Sequence, residues 1–100
     1  MRVIKRQALT AFWERPGCAD AQPPLEAWYR ETKASAWQSP ADIKKKHGTA
    51  SILKSGRVVF NIRGNKYRLV AEINYKSGIA FIRFVGTHEE YDRIDAEVIR

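Results

Sequence analysis

The sequence is poor in the residues that build covalent or metal-held frameworks. It has one cysteine, one methionine and two histidines in 100 residues. A lone Cys18 excludes an internal disulfide and gives no sign of an oxidising compartment. Cys18, His47 and His88 stand at no spacing that a metal site uses, so neither metal nor cofactor is expected. No segment approaches the ~20 apolar residues of a membrane-crossing helix. The N-terminal "MRVIKRQALTAFWERPG" is basic like a secretory leader, but lacks the continuous apolar run that must follow, and Glu14 and Arg15 interrupt it. The chain therefore reads as soluble and cytoplasmic, with no membrane partner. Phosphate-binding glycine loops, dinucleotide fingerprints and a serine nucleophile elbow are missing too. Acidic residues are also scarce. Eleven Asp and Glu face eighteen Lys and Arg, a formal net charge of +7. That balance favours a polyanionic partner such as nucleic acid, an anionic surface or an acidic protein.

What is present is enough for one folded domain spanning residues 1–100. The chain is 44% hydrophobic with three Trp, four Tyr and four Phe, which argues against disorder. Residues 1–5 suit a short edge strand. Ala8, Leu9, Phe12 and Trp13 fall at helical spacing, and Pro16-Gly17 stops that helix. Pro23-Pro24 suits the first turn of a second helix whose Leu25, Trp28, Tyr29 and Thr32 share one face. "SPAD" at 39–42 predicts a short third helix through "IKKKH". After Gly48 the period changes to two. Val58, Phe60 and Ile62 alternate with more polar positions, Gly64-Asn65 makes a hairpin turn, and Leu69, Ala71 and Ile73 follow. Lys76-Ser77-Gly78 turns the chain into a third strand, 79–86. Thr87 and Glu90 form a T-x-x-E capping box that starts a last helix. The expectation is an α+β fold: an antiparallel sheet of the N-terminal strand plus a three-stranded meander, helices on one face, and a short C-terminal helix.

The chemistry concentrates in two places. "VVFNIRGNKYRLVAEINY" (58–75) carries Arg63, Lys66 and Arg68 among strand residues. Like charges facing each other across a hairpin destabilise it, so either solvent or a neutralising anion accompanies Arg63 and Lys66. Arg68 lies mid-strand on the face away from the helices, where a guanidinium needs a partner. Glu72 on the same face and an external phosphate are the two candidates, and Arg83 in the next strand competes for Glu72. Lys44, Lys45 and Lys46 form either a solvated helix face or a sequence-independent phosphate contact. In "GTHEEYD" (86–92), His88 in the first helical turn has Tyr91 at i+3, a spacing compatible with a proton-transfer pair or with a surface His beside a packing Tyr.

These two stretches, "VVFNIRGNKYRLVAEINY" and "IAFIRFVGTHEEYDRID", resemble HigB-type toxins of the RelE superfamily, from bacterial type II toxin–antitoxin modules. The likeness runs from "MRVIKRQAL" to "EYDRIDA" and is densest over 58–95. It implies a small RelE-like fold and an mRNA interferase, an endoribonuclease that cleaves mRNA in the ribosomal A site while contacting ribosomal RNA. It implies a HigA-type helix-turn-helix antitoxin as partner, with operator DNA bound only through that antitoxin. By the same resemblance Arg68 in "KYRLV" matches the family's active-site arginine, and Arg63 and Lys66 stand where RNA is contacted. His88 replaces a cation of the family's "GKR" segment, and Tyr91 is the nearest match to a site tyrosine. The mechanism implied is attack of the RNA 2′-hydroxyl, with Arg68 and Arg83 stabilising charge, His88 and Tyr91 handling protons or stacking, and Arg63, Lys66 and Lys44–Lys46 holding backbone. The rival readings are a non-catalytic RNA- or ribosome-binding module, and an inactive toxin retained for antitoxin docking.

Overall fold

In the computed structural model, which describes residues 1–100, the helical half and the strand half of the sequence meet face to face. The elements are β1 (Arg2–Ile4), α1 (Gln7–Trp13), a 3-10 turn at 19–21, α2 (Gln22–Ala34), α3 (Pro40–Lys46), β2 (Ser51–Ile52), β3 (Arg57–Ile62), β4 (Tyr67–Asn74), β5 (Ile79–Thr87) and α4 (His88–Tyr91). The expected α+β architecture is present. The sheet, however, has five strands in the order β1-β5-β4-β3-β2. The meander β3-β4-β5 is antiparallel, as its short turns require, but β1 pairs parallel with β5. The three helices intervene between β1 and the meander, and such a long crossover is what a parallel neighbour needs. The two-residue edge strand β2 had no sequence signal.

Alternation decides which face is covered. Tyr67, Leu69, Ala71 and Ile73 of β4 join Val58, Phe60 and Ile62 of β3 in the main core, against Leu9 and Phe12 of α1 and Leu25 and Trp28 of α2. Their aromatic rings meet edge to face, Phe12 on Tyr67 and Trp28 on Phe60, a favoured geometry.

The opposite face was expected to be open, and it is only partly so. The last helix stops after four residues. The chain then crosses the sheet, placing Ala96 on Val59 and Val70, with Leu53, Phe84, Tyr91, Ile94 and Ile99 around them. Asp95 makes the turn, its carboxylate accepting from the Glu97 N–H at 3.0 Å. Arg57 clamps this tail: its buried guanidinium donates to the carbonyls of Ala96 (3.2 Å) and Ile99, and pairs with Glu72 at 3.3 Å. Further along, β5 bulges at Arg83, because Ala71 faces Ile82 while Val70 faces Phe84. An extra residue of this kind re-aims the side chains beyond it. No helix is long and apolar enough to cross a membrane.

Candidate active site

The end of the sheet at the β3–β4 hairpin gathers Arg68 and His88. Arg68 faces Gly86 across the β4–β5 ladder, and Tyr67 faces Thr87. The His88 N–H donates to the Lys66 carbonyl at 3.1 Å. That places the first residue of α4 beside the hairpin. The capping box holds it there: Thr87 Oγ1 accepts from the Glu90 N–H (3.1 Å) and Glu90 Oε1 from the Thr87 N–H (2.9 Å). Arg15, at the end of α1, grips the same Glu90 with both terminal nitrogens, at 3.2 and 2.9 Å. This grip, followed by the bonds to Thr87, holds the Glu90 carboxyl below its ordinary range. Gly86 is required by packing, since a Cβ there would stand 2.5 Å from Phe84 Cζ and 3.1 Å from Glu90 Oε1.

Arg68 is half-buried, and its charge meets no carboxylate. One terminal nitrogen donates to Asn61 Oδ1. The other lies 3.0 Å from His88 Nδ1, and Cζ sits 5.4 Å from the centre of the Tyr91 ring. Nε is buried with no partner. Glu72, one of its two expected partners, is instead shared by Arg57 and Arg83 at 3.3 and 3.1 Å. A guanidinium cannot lose its proton. The site therefore holds a fixed positive charge among neutral groups, which is the requirement for receiving an anion. Because Arg68 donates to Nδ1, neutral His88 carries its proton on Nε2. That atom lies 3.7 Å from Asp92 Oδ2 and on a side chain 45% exposed, open to a substrate.

The structure separates the other expected residues from this group. Arg83 pairs with Glu72 and lies over the Phe81 ring at 3.9 Å, so its bulged position directs it away from Arg68. Arg63 and Lys66 do have a neutralising anion, and it is internal. Asp20, from the 3-10 turn, lies 3.1 Å from Arg63 Nε and 2.5 Å from Lys66 Nζ, and accepts from the Tyr67 hydroxyl. Lys66 first, then Tyr67, hold the Asp20 carboxyl below its ordinary range. The hairpin also turns differently from expectation. Arg63 and Gly64 take positive φ, +52° and +64°, rather than Gly64 and Asn65, and the Lys66 N–H closes the turn on the Arg63 carbonyl at 3.2 Å. Lys44 donates to the carbonyls of Gly48 and Ala50, each at 2.8 Å, so it closes the end of α3, while Lys45 and Lys46 remain exposed. A groove of about 490 Å3 lies beside His88, walled by Arg15, Gly17, Cys18, Lys66, Tyr67 and Glu89 among others.

One member of the site was missed in the sequence. Asn61 alternates onto the same face as Arg68 and is its direct partner across the ladder, which strand parity could have revealed. Asp92 stands at i+4 from His88. No three His, Cys, Asp or Glu side chains are grouped as metal ligands.

A protein-family model described as the RelE-like toxic component of a toxin–antitoxin system, HigB toxin, matches residues 21–94. The chain belongs to the HigB toxin family. The match takes in α2 through α4 and with them Asn61, Arg68, His88, Tyr91 and Asp92. No individual curated protein matches the chain. As a member of this family the toxin has an antitoxin for a partner, and its mixed sheet is compatible with the small RelE-like fold.

Proposed function

We propose that this HigB-family toxin is an endoribonuclease that cleaves mRNA during translation, with Arg68 and His88 at its centre. The observation that carries the reading is Arg68, a half-buried, carboxylate-free guanidinium in contact with an imidazole. In RNA cleavage by the neighbouring hydroxyl, the 2′-oxygen bonds to phosphorus while the bond to the 5′-oxygen breaks. The 2′-proton is lost and the leaving oxygen gains one, giving a 2′,3′-cyclic phosphate and a 5′-hydroxyl. Negative charge builds on the non-bridging oxygens, and the terminal nitrogens of Arg68, each with an N–H beyond the one it gives to Asn61 or His88, are the donors placed to meet it. His88 Nε2–H hydrogen-bonds to the leaving oxygen, solvent water takes the 2′-proton and supplies the one that oxygen gains, and Asp92 orients the ring. Tyr91, packed against Phe84 with ring centres 6.4 Å apart, fixes the far side of the guanidinium and offers a surface for a base. Lys45, Lys46 and the rim cations Arg63 and Lys66 guide the RNA backbone. Asp20 leaves that pair with one net positive charge.

Arg68→Ala and His88→Ala variants separate this from a module that only binds RNA. Each is expected to bind a short RNA oligonucleotide about as well as the parent. Arg68→Ala should cleave roughly 10²–10³ times more slowly, the usual cost of one transition-state donor. Unchanged cleavage by both variants would refute the assignment. A HigA-type helix-turn-helix antitoxin is the proposed partner. It would silence the toxin by covering the Arg68–His88 end.

A further inference from the structure

A separate cavity of about 670 Å3 lies between the end of α2, β1 and the β4–β5 turn, within the size range of small-molecule sites. Arg68 stands near the start of β4 and this cavity just beyond its other end, so roughly 20 Å of strand part them. Arg2, Lys33 and Lys76 line the cavity, and none has a carboxylate within 4 Å. No acidic residue is on its walls. Asp42, whose charge reaches the Tyr75 hydroxyl, stays outside them and accepts from the Gln38 N–H at 2.9 Å. Tyr29 and Tyr75 both line the cavity. The Tyr29 ring already carries two cations, with Arg6 Cζ 4.8 Å and Lys33 Nζ 5.8 Å from its centre. The half-buried Tyr75 ring meets neither a cation nor another ring. Gln38, also on the walls, is exposed and bonds through its backbone N–H, leaving the side-chain amide free.

We infer that this cavity binds a free purine nucleoside triphosphate, at a site distinct from the one around Arg68. Three cations without internal partners, from three separate elements, converge on one concavity. That arrangement complements the clustered negative charge of a triphosphate tail. The uncovered Tyr75 ring offers a stacking face for a base. The Gln38 amide carries a donor and an acceptor side by side, which a purine edge matches and a bare polyphosphate does not. A ligand held in this way ties β1, the end of α2 and the β4–β5 turn together, so it also stabilises the folded chain. None of this depends on whether Arg68 cleaves RNA.

The test is isothermal titration calorimetry of the whole chain with ATP, with GTP and with inorganic triphosphate. At least one nucleotide should bind with a Kd below ~1 mM. It should bind about 5-fold or more tighter than triphosphate, the lower end of what stacking one base contributes. An Arg2→Gln/Lys33→Gln/Lys76→Gln variant should bind that nucleotide at least ~10-fold more weakly. Lys54→Gln/Arg100→Gln removes exposed cations outside the cavity and should change binding less than ~2-fold, because distant charges are screened. Tyr75→Leu should lose the preference for nucleotide over triphosphate while keeping its affinity for triphosphate. Arg68→Ala should bind the nucleotide as the parent does. Circular dichroism melts check that every variant folds, and saturating nucleotide should raise the parent's melting temperature by about 5 °C. No binding of either nucleotide by the parent would overturn the inference, as would equal losses per charge in the two Gln variants. Triphosphate binding as tightly as the nucleotide would reduce the cavity to a phosphate site and overturn it too. Loss of binding in Arg68→Ala would place the nucleotide in the active site instead. Binding of a ten-glutamate peptide that the triple variant abolishes, with no nucleotide bound, would give the cavity to an acidic protein.

Discussion

Replacing Arg57 by methionine should release the C-terminal tail. The guanidinium is buried and bonds to three groups, Glu72 and the carbonyls of Ala96 and Ile99. Methionine keeps most of the aliphatic stem and removes the donors. Glu72 is not stranded, because Arg83 still holds it. The cost falls on the two carbonyls. A hydrogen bond from a charged donor contributes about 1.5–3 kcal/mol. Part of this returns as the freed carbonyls reach water, so a loss of about 3 kcal/mol is expected. For a 100-residue chain the whole stability is on the order of 5–15 kcal/mol, so the urea midpoint should fall clearly. Hydrogen exchange should localise the effect. The amides of Val98 and Ile99, which bond to the Asp95 carbonyl, should lose protection, whereas those of β4 and β5 should fall only with global stability. Because Tyr91 packs in the same small cluster as Ala96 and Ile99, cleavage should weaken as well. An unchanged urea midpoint with full protection at Ile99 would show that Arg57 is not the clamp.

Three further outcomes follow from the geometry. Burial lowers the His47 pKa below 6.5, against the opposing pull of Glu31. The folded state thus binds the proton less well than the unfolded one, and stability should drain as pH falls below about 6.5. His47→Gln should flatten that part of a urea-midpoint-against-pH profile. Gly86→Ala should displace the Phe84 ring or the capping box, costing about 1–3 kcal/mol in thermal or urea unfolding. Asn61→Ala removes the neutral anchor of Arg68, and should lower the single-turnover cleavage rate by about 10-fold, an effect of roughly 1.4 kcal/mol, with little change in melting temperature.

The parts of this toxin that were legible in its sequence are those fixed by local rules. The alternation of Val58, Phe60 and Ile62, and of Leu69, Ala71 and Ile73, located β3 and β4 and assigned their buried face. Thr87 and Glu90 announced the capping box that is present. Pro23-Pro24 and Pro40 marked the helix starts. Arg68 stood out as a cation in a strand, and the contact with His88 follows once β4 and β5 pair. What escaped depends on residues far apart in the chain. Asp20 neutralises the hairpin tip from 46 residues before Lys66, and nothing near Asp20 marks it. The bulge at Arg83 shifts register without a glycine to signal it. The capping box starts the last helix but does not say how the tail after Tyr91 runs. The apolar patch of Val59 and Val70, together with the Arg57 clamp and the Asp95 turn, draws that tail across the sheet. The pairing of β1 with β5 is set by the crossover of three helices, beyond the reach of any local pattern.

The central claim is that Arg68 supplies charge to an RNA cleavage reaction. Induced expression of the parent and of Arg68→Ala, followed by primer extension on a translated reporter mRNA, tests it most directly. The account predicts growth arrest and new 5′ ends inside the reading frame with the parent, and neither with Arg68→Ala expressed to the same level. New ends of equal intensity in both, or a folded parent that cuts nothing, would contradict it.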